Sequence, residues 1–85
     1  MAETPEIPTR ADMARHEQWA EEAYDRMYDA PRHEVKDCKD DACEHLWKAI
    51  HIAEALGLAD EEARLHARLN HIIAVYGSQF RSSLI

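Results

Sequence analysis

Glycine, proline, cysteine and aromatic residues are scarce in this sequence. It contains two Gly, three Pro and two Cys, and 7% of its residues are aromatic. Two glycines cannot form the Gly-rich loops that bind nucleotide phosphates, and the three serines, all after position 77, do not lie in a nucleophile motif. Two Val and one Phe disfavour a β-sheet core, whereas fourteen Ala favour helices. We therefore expect an all-α protein that is not an enzyme and has no cofactor.

Basic residues are outnumbered by acidic ones. Ten Lys and Arg stand against 17 Asp and Glu, which gives a formal net charge of −7. Nucleic acids and anionic membranes are bound by basic surfaces, so we expect neither as a partner. The last acidic residue is Glu62, and the only charged residues after it are Arg64, Arg68 and Arg81. The acidic excess therefore lies in the first three quarters of the chain.

Long hydrophobic runs are also missing. The densest apolar run, residues 72–76, is much shorter than the about 20 residues that cross a bilayer. Residues 1–8 lack the apolar segment of a secretory signal. We therefore expect a cytoplasmic protein in which Cys38 and Cys43 are reduced thiols.

Apolar residues recur at helical spacing after an acidic, Pro-containing start. We predict that residues 1–8 form a disordered lead and that residues 9–85 form a single domain of three helices. The first helix is predicted over residues 10–28. Thr9 is its expected N-cap and Asp12 the partner in a capping box.

The second helix is predicted to follow a polar connection at residues 32–37 and to end at Leu56. Asp37 or Asp40 is its expected cap, and Gly57 fits the left-handed position after it. This helix is apolar on two sides, which indicates a central position between two neighbours. The fold predicted is a three-helix bundle in which helices 2 and 3 form an antiparallel hairpin. Asp60 is the expected cap of the third helix, and an ion pair is expected between Asp60 and Arg64.

Residues 42–77 resemble a helical hairpin of the tetratricopeptide repeat family. In the predicted second helix of this chain, small and large apolar residues recur at the spacing found in the second helix of a tetratricopeptide repeat. The predicted third helix of this chain is similar to the first helix of the repeat that would follow. The resemblance is carried by Ala42, Leu46, Ala49, Ile50, residues 52–57, Leu69, Asn70, Ile73, Ala74, Val75 and Tyr76. It implies an antiparallel hairpin whose family role is protein–protein recognition.

Six His and two Cys raise the question of a metal site. Cys38, Asp41 and His45 follow one another at spacings of three and four, which places them on one face of the second helix. A thiolate, a carboxylate and an imidazole are suitable zinc ligands with a fourth position open. The alternative is that Cys38 is a small buried residue and that His45 is hydrogen-bonded to Asp41. We expect no metal, and these three residues are the candidates if the protein is a small metal-binding protein.

The sequence also indicates aromatic side chains that are exposed on the protein surface. A domain of this size cannot fully cover both of its Trp side chains, and exposed aromatic residues favour interfaces. The expected interaction surface consists of Trp19, Tyr28, Cys43, Trp47 and Ile50. We therefore predict a small, acidic, non-catalytic protein-interaction module whose partner is a second copy, in a homodimer, or a different protein. The alternative from charge and size is an acidic inhibitor or immunity-type protein that masks a basic site on its target.

Overall fold

Three helices make up most of the part of the chain that the computed structural model describes, residues 7–81. They are α1 (Arg10–Asp29), α2 (Val35–Ala55) and α3 (Ala59–Val75), with a 3₁₀ turn at Arg32–Glu34 and a π-helical turn at Tyr76–Arg81. Helix α2 packs against both α1 and α3, as expected for the central helix. The predicted all-α three-helix bundle, with α2 and α3 as an antiparallel hairpin, is confirmed. Most of the predicted disordered lead, and the last four residues of the predicted domain, lie outside the described residues.

Helix α1 begins with the predicted capping box. The Asp12 backbone N–H donates to Thr9 Oγ1 at 3.2 Å, and the Thr9 backbone N–H donates to Asp12 Oδ2 at 3.0 Å. The two bonds satisfy backbone donors that have no partner inside the helix. The helix ends at Asp29, because Ala30 precedes Pro31 and takes the extended conformation that such a residue prefers.

Helix α2 begins earlier than predicted. The polar connection is replaced in part by the 3₁₀ turn, in which the Glu34 backbone N–H donates to the Pro31 carbonyl oxygen at 2.8 Å. This turn leads directly into the helix at Val35, so neither Asp37 nor Asp40 is a cap. Asp37 lies in the first turn, where a negative charge is favourable.

Gly57 ends α2 as predicted. Its φ angle is 71°, and its backbone N–H donates to the Glu54 carbonyl oxygen at 3.1 Å. The Leu58 backbone N–H donates to the Ala53 carbonyl oxygen at 2.9 Å, which completes a Schellman motif. Leu58 then packs against the core. Helix α3 begins at Ala59, so Asp60 lies in its first turn instead of capping it.

The core between the helices is rich in alanine. Small side chains at a helix contact let the two helix axes approach closely, and α1 and α2 contribute five buried alanines between them. Larger side chains fill the space between α2 and α3. The buried hydrophobic residues are Met13, Ala20, Ala23, Met27, Ala42, Leu46, Ala49, Ile50, Ala53, Leu65, Leu69 and Ile72. Within residues 7–81, none of the helices is long and apolar enough to cross a bilayer.

The left-handed backbone at Gly57 yields a stability prediction. We expect Gly57→Ala to lower the free energy of unfolding by about 1 kcal/mol, because a Cβ is strained at positive φ although no atom lies within 4 Å of it. Gly77→Ala is the matched control, since that Cβ also meets nothing and φ is not positive there. We expect the control to be neutral or slightly stabilising. Urea unfolding of both variants measures the difference, and equal effects would contradict the prediction.

Candidate interaction surface

Trp19 is half-exposed at the outer edge of the contact between α1 and α2. Its side chain is 41% exposed. The indole lies against two imidazoles, with ring centroids 5.2 Å from His16 and 5.3 Å from His45. The two imidazoles also stack on each other, and their Nδ1 atoms are 3.1 Å apart. Trp19 and the two histidines therefore form one cluster that spans α1 and α2.

Trp47 forms a second cluster at the outer edge of the contact between α2 and α3. Its side chain is 44% exposed. Its ring lies 5.8 Å from the ring of His51, one turn along α2, and 5.3 Å edge-on from that of His66 on α3. Both indoles thus keep a large exposed area, and each is held in place by histidine rings.

The outward side of α2 connects the two clusters. His45, Lys48 and His51 follow one another at steps of three residues, and each step turns by about 60° around the helix. Trp47 lies about 40° beyond His51 in the same direction, and Lys48 and His51 are exposed. We call this surface the Trp19–Trp47 face, which consists of Trp19, His16, His45, Lys48, His51, Trp47 and His66.

Ion pairs of opposite charge border this face. Glu44 lies 3.5 Å from Lys48, and Asp41 of α2 lies 3.9 Å from Arg26 of α1. A third pair, at the start of α1, joins Arg15 to Asp12 at 3.5 Å. These six groups balance one another, so the acidic excess of the chain is not concentrated among them.

Two residues of the predicted surface differ from their expected positions. Ile50 is only 1% exposed and belongs to the core, so its assignment to an exposed patch was wrong. Cys43 is half-buried against the core, and this burial raises the pKa of its thiol. Ile73 of α3 is 47% exposed. It lies two turns from His66 and about 20° from it around α3, so it extends the apolar area beside Trp47.

Tyr28 lies on a different side of the protein. It is nine residues from Trp19, which is about 180° around α1. Its side chain is 50% exposed, and its hydroxyl oxygen is 2.9 Å from that of Tyr24. The Phe80 ring, carried by the π-helical turn, meets the Tyr28 ring edge-on at 5.3 Å. The π-helical turn includes Gly77 and Ser78, and it brings Phe80 to Tyr28.

The zinc ligands considered from the sequence are not brought together. Among residues 7–81, no group of three or more His, Cys, Asp and Glu side chains is arranged so that it could hold a metal ion. Asp41 pairs with Arg26 of α1, and His45 turns to His16. The hypothesis of a site formed by Cys38, Asp41 and His45 was therefore wrong.

Ion pairs join α1 to α3 on the side of the bundle opposite the Trp19–Trp47 face. Arg64 donates to both carboxylate oxygens of Glu17, at 2.6 and 2.9 Å, and to Glu61 at 2.6 Å. Asp60 was the predicted partner of Arg64, but Arg64 pairs with Glu17 and Glu61 instead. Arg68 donates to both oxygens of Glu21, at 2.7 and 2.5 Å. The hydrogen bond from Arg64 lowers the pKa of Glu17 below its ordinary range.

Comparison of the chain with protein-family models, curated proteins and solved structures finds no match. The resemblance to a tetratricopeptide hairpin therefore stays a prediction.

The ion pair between Glu17 and Arg64 makes stability depend on pH. The folded state lowers the pKa of Glu17, so the stabilisation is present above the ordinary glutamate pKa of about 4.3 and is lost as the pH falls through the lower, folded value. We expect Glu17→Gln to lower the unfolding free energy by up to about 1 kcal/mol at neutral pH, since the pair is partly exposed. The difference from the unmodified protein should vanish at low pH.

Urea unfolding between pH 7 and pH 3 measures this effect. Glu54→Gln is the matched control, because Glu54 is exposed on α2 and lies outside the ion pairs that join α1 to α3. A pH profile that is the same for both variants would show that the pair between α1 and α3 does not stabilise the fold.

Proposed function

We propose that this protein is a small, non-catalytic interaction module that associates with a second copy of itself through the Trp19–Trp47 face. The observation that carries the proposal is the pair of half-exposed indoles on either side of α2. Trp is enriched among the residues that contribute most to binding at protein interfaces. Two such side chains, one at each edge of the outward side of α2, are a suitable composition for a docking surface.

The rigidity of these side chains supports the proposal. Each indole rests on histidine rings from its own and a neighbouring helix. An aromatic side chain that is already held loses little conformational entropy when a partner covers it. The same rings carry polar nitrogen atoms that can form hydrogen bonds at the rim of an interface. The face thus combines an apolar area with polar groups at its edges.

Charge favours a second copy as the partner. In a two-fold symmetric dimer the same patch meets itself, so an acidic patch would face its own charge. Three pairs of opposite charge and the exposed Glu54 border the Trp19–Trp47 face, whereas the whole chain has a net charge of −7. Two copies can therefore meet at this face with less repulsion than at an acidic part of the surface.

Sedimentation of the full, untagged chain tests self-association. At about 100 μM chain, an interface with a dissociation constant of about 10 μM is largely dimeric. We expect the unmodified protein to be a dimer under these conditions. We expect Trp47→Ala and Trp19→Ala each to weaken the dimer more than about tenfold, because truncating a central interface Trp costs about 2 kcal/mol or more.

Tyr28→Ala is the control for this experiment. Tyr28 is an aromatic side chain of similar exposure on the opposite side of α1, so its removal should leave the dimer intact. Circular dichroism should show that all three variants keep their helices. A monomeric mass for the unmodified protein, or equal weakening by the Tyr28 and Trp47 variants, would contradict the proposal.

The salt dependence of association separates this proposal from the alternative of an acidic inhibitor. An interface centred on indoles should change little between low and high salt. Association with a basic target, which would use the acidic surface, should weaken steeply as salt is added. A monomer that binds a basic protein in this salt-sensitive manner would support the inhibitor instead.

A further inference from the structure

Two imidazoles from different helices face each other at the edge of the Trp19–Trp47 face. The Nδ1 atoms of His16 and His45 are 3.1 Å apart, and the two ring planes are inclined by 27°. With both nitrogens at this distance, one proton can bridge them but two protons cannot fit between them. At most one of the two nitrogens therefore carries a hydrogen directed at the other.

We propose that His16 and His45 together bind one divalent late transition-metal ion of the Zn²⁺, Ni²⁺ or Cu²⁺ class between their Nδ1 atoms, while each neutral ring carries its single proton on Nε2. The metal–nitrogen distance for histidine is about 2.0–2.1 Å. Two nitrogens on one tetrahedral ion are then about 3.3 Å apart, and two at a right angle are about 2.9 Å apart. The observed separation of 3.1 Å lies between these values, so the two nitrogens already have the spacing that one ion requires.

The groups around the two histidines act in both directions. Burial, followed by the charges of His45 and Lys48, lowers the pKa of His16. The Asp12 carboxylate raises the pKa of His16, and its negative charge also attracts a cation. The positive charges of Arg15 and Lys48 repel a cation. Neutral imidazole donors select late transition metals over Ca²⁺ and Mg²⁺, which require oxygen ligands.

Trp19 holds both ligands in place. Its indole packs against the His16 ring and the His45 ring at nearly the same distance, which restricts the rotation of both. The two histidines are only half-buried, so water can complete the coordination. Because His16 lies on α1 and His45 on α2, a bound ion would tie the two helices together. Binding to the folded state alone raises stability by mass action.

Thermal unfolding of the full, untagged chain with added ZnCl₂ tests the site. We expect the unfolding midpoint to rise with zinc concentration and binding to saturate at one equivalent per chain. His16→Gln and His45→Gln should each abolish the rise. His71→Gln is the matched control, since His71 is exposed on α3 and outside the Trp19–Trp47 face, and it should keep the rise.

Trp47→Ala gives a second, local measurement. It leaves Trp19 as the single indole, and Cu²⁺ bound at His16 and His45 should quench Trp19 fluorescence because the indole contacts both rings. Adding His45→Gln to this background should remove the saturable quenching. The site lies within one copy, so it is expected in Trp47→Ala even though this variant should no longer form the dimer.

Two results would overturn the metal site. One is a zinc-independent unfolding midpoint together with no saturable quenching by Cu²⁺. The other is a shift that persists in His45→Gln or that disappears equally in His71→Gln, which would mean that metal binds elsewhere on the surface. Neither result bears on the dimer, whose mass is measured without metal.

Discussion

Close packing of α1 against α2 through alanine is the constraint on which the rest of the structure depends. Ala20 and Ala23 of α1, with Ala42, Ala49 and Ala53 of α2, are fully or almost fully buried. Helices that meet through such small side chains leave no room between them for an indole. Trp19 lies at the outer edge of this contact, where its side chain stays half-exposed.

The two sides of the bundle are stabilised differently. On one side, Arg64 and Arg68 of α3 bind carboxylates of α1, and the Arg68 guanidinium also lies over the Tyr24 ring at 4.9 Å. On the other side, aromatic and imidazole rings border α2. Charged pairs are satisfied within one copy, whereas a half-exposed indole gains further burial from a partner. The proposed interface therefore lies on the side without the bidentate ion pairs.

Two residues of the candidate surface, Trp19 and Trp47, were among those predicted from the sequence, but the histidines beside them were missed. Apolar periodicity identified Trp19 and Trp47 as side chains that the core cannot cover, and both are half-exposed. Spacing along a single helix grouped His45 with Cys38 and Asp41 as possible metal ligands. The residue that His45 contacts is His16, 29 positions earlier in the chain. The successive three-residue steps from His45 to His51 were a usable signal, since they lead around the outside of the helix from one Trp to the other.

The sequence by itself determined the features that depend on neighbouring residues. The capping box of Thr9, the end of α1 before Pro31 and the left-handed Gly57 all follow from local backbone chemistry. Only the tertiary structure decided that Ile50 is buried and that Arg64 turns to Glu17 instead of Asp60. These outcomes depend on the rotation and separation of packed helices. Those quantities are set by how all the core side chains fit together at once, which no local spacing specifies.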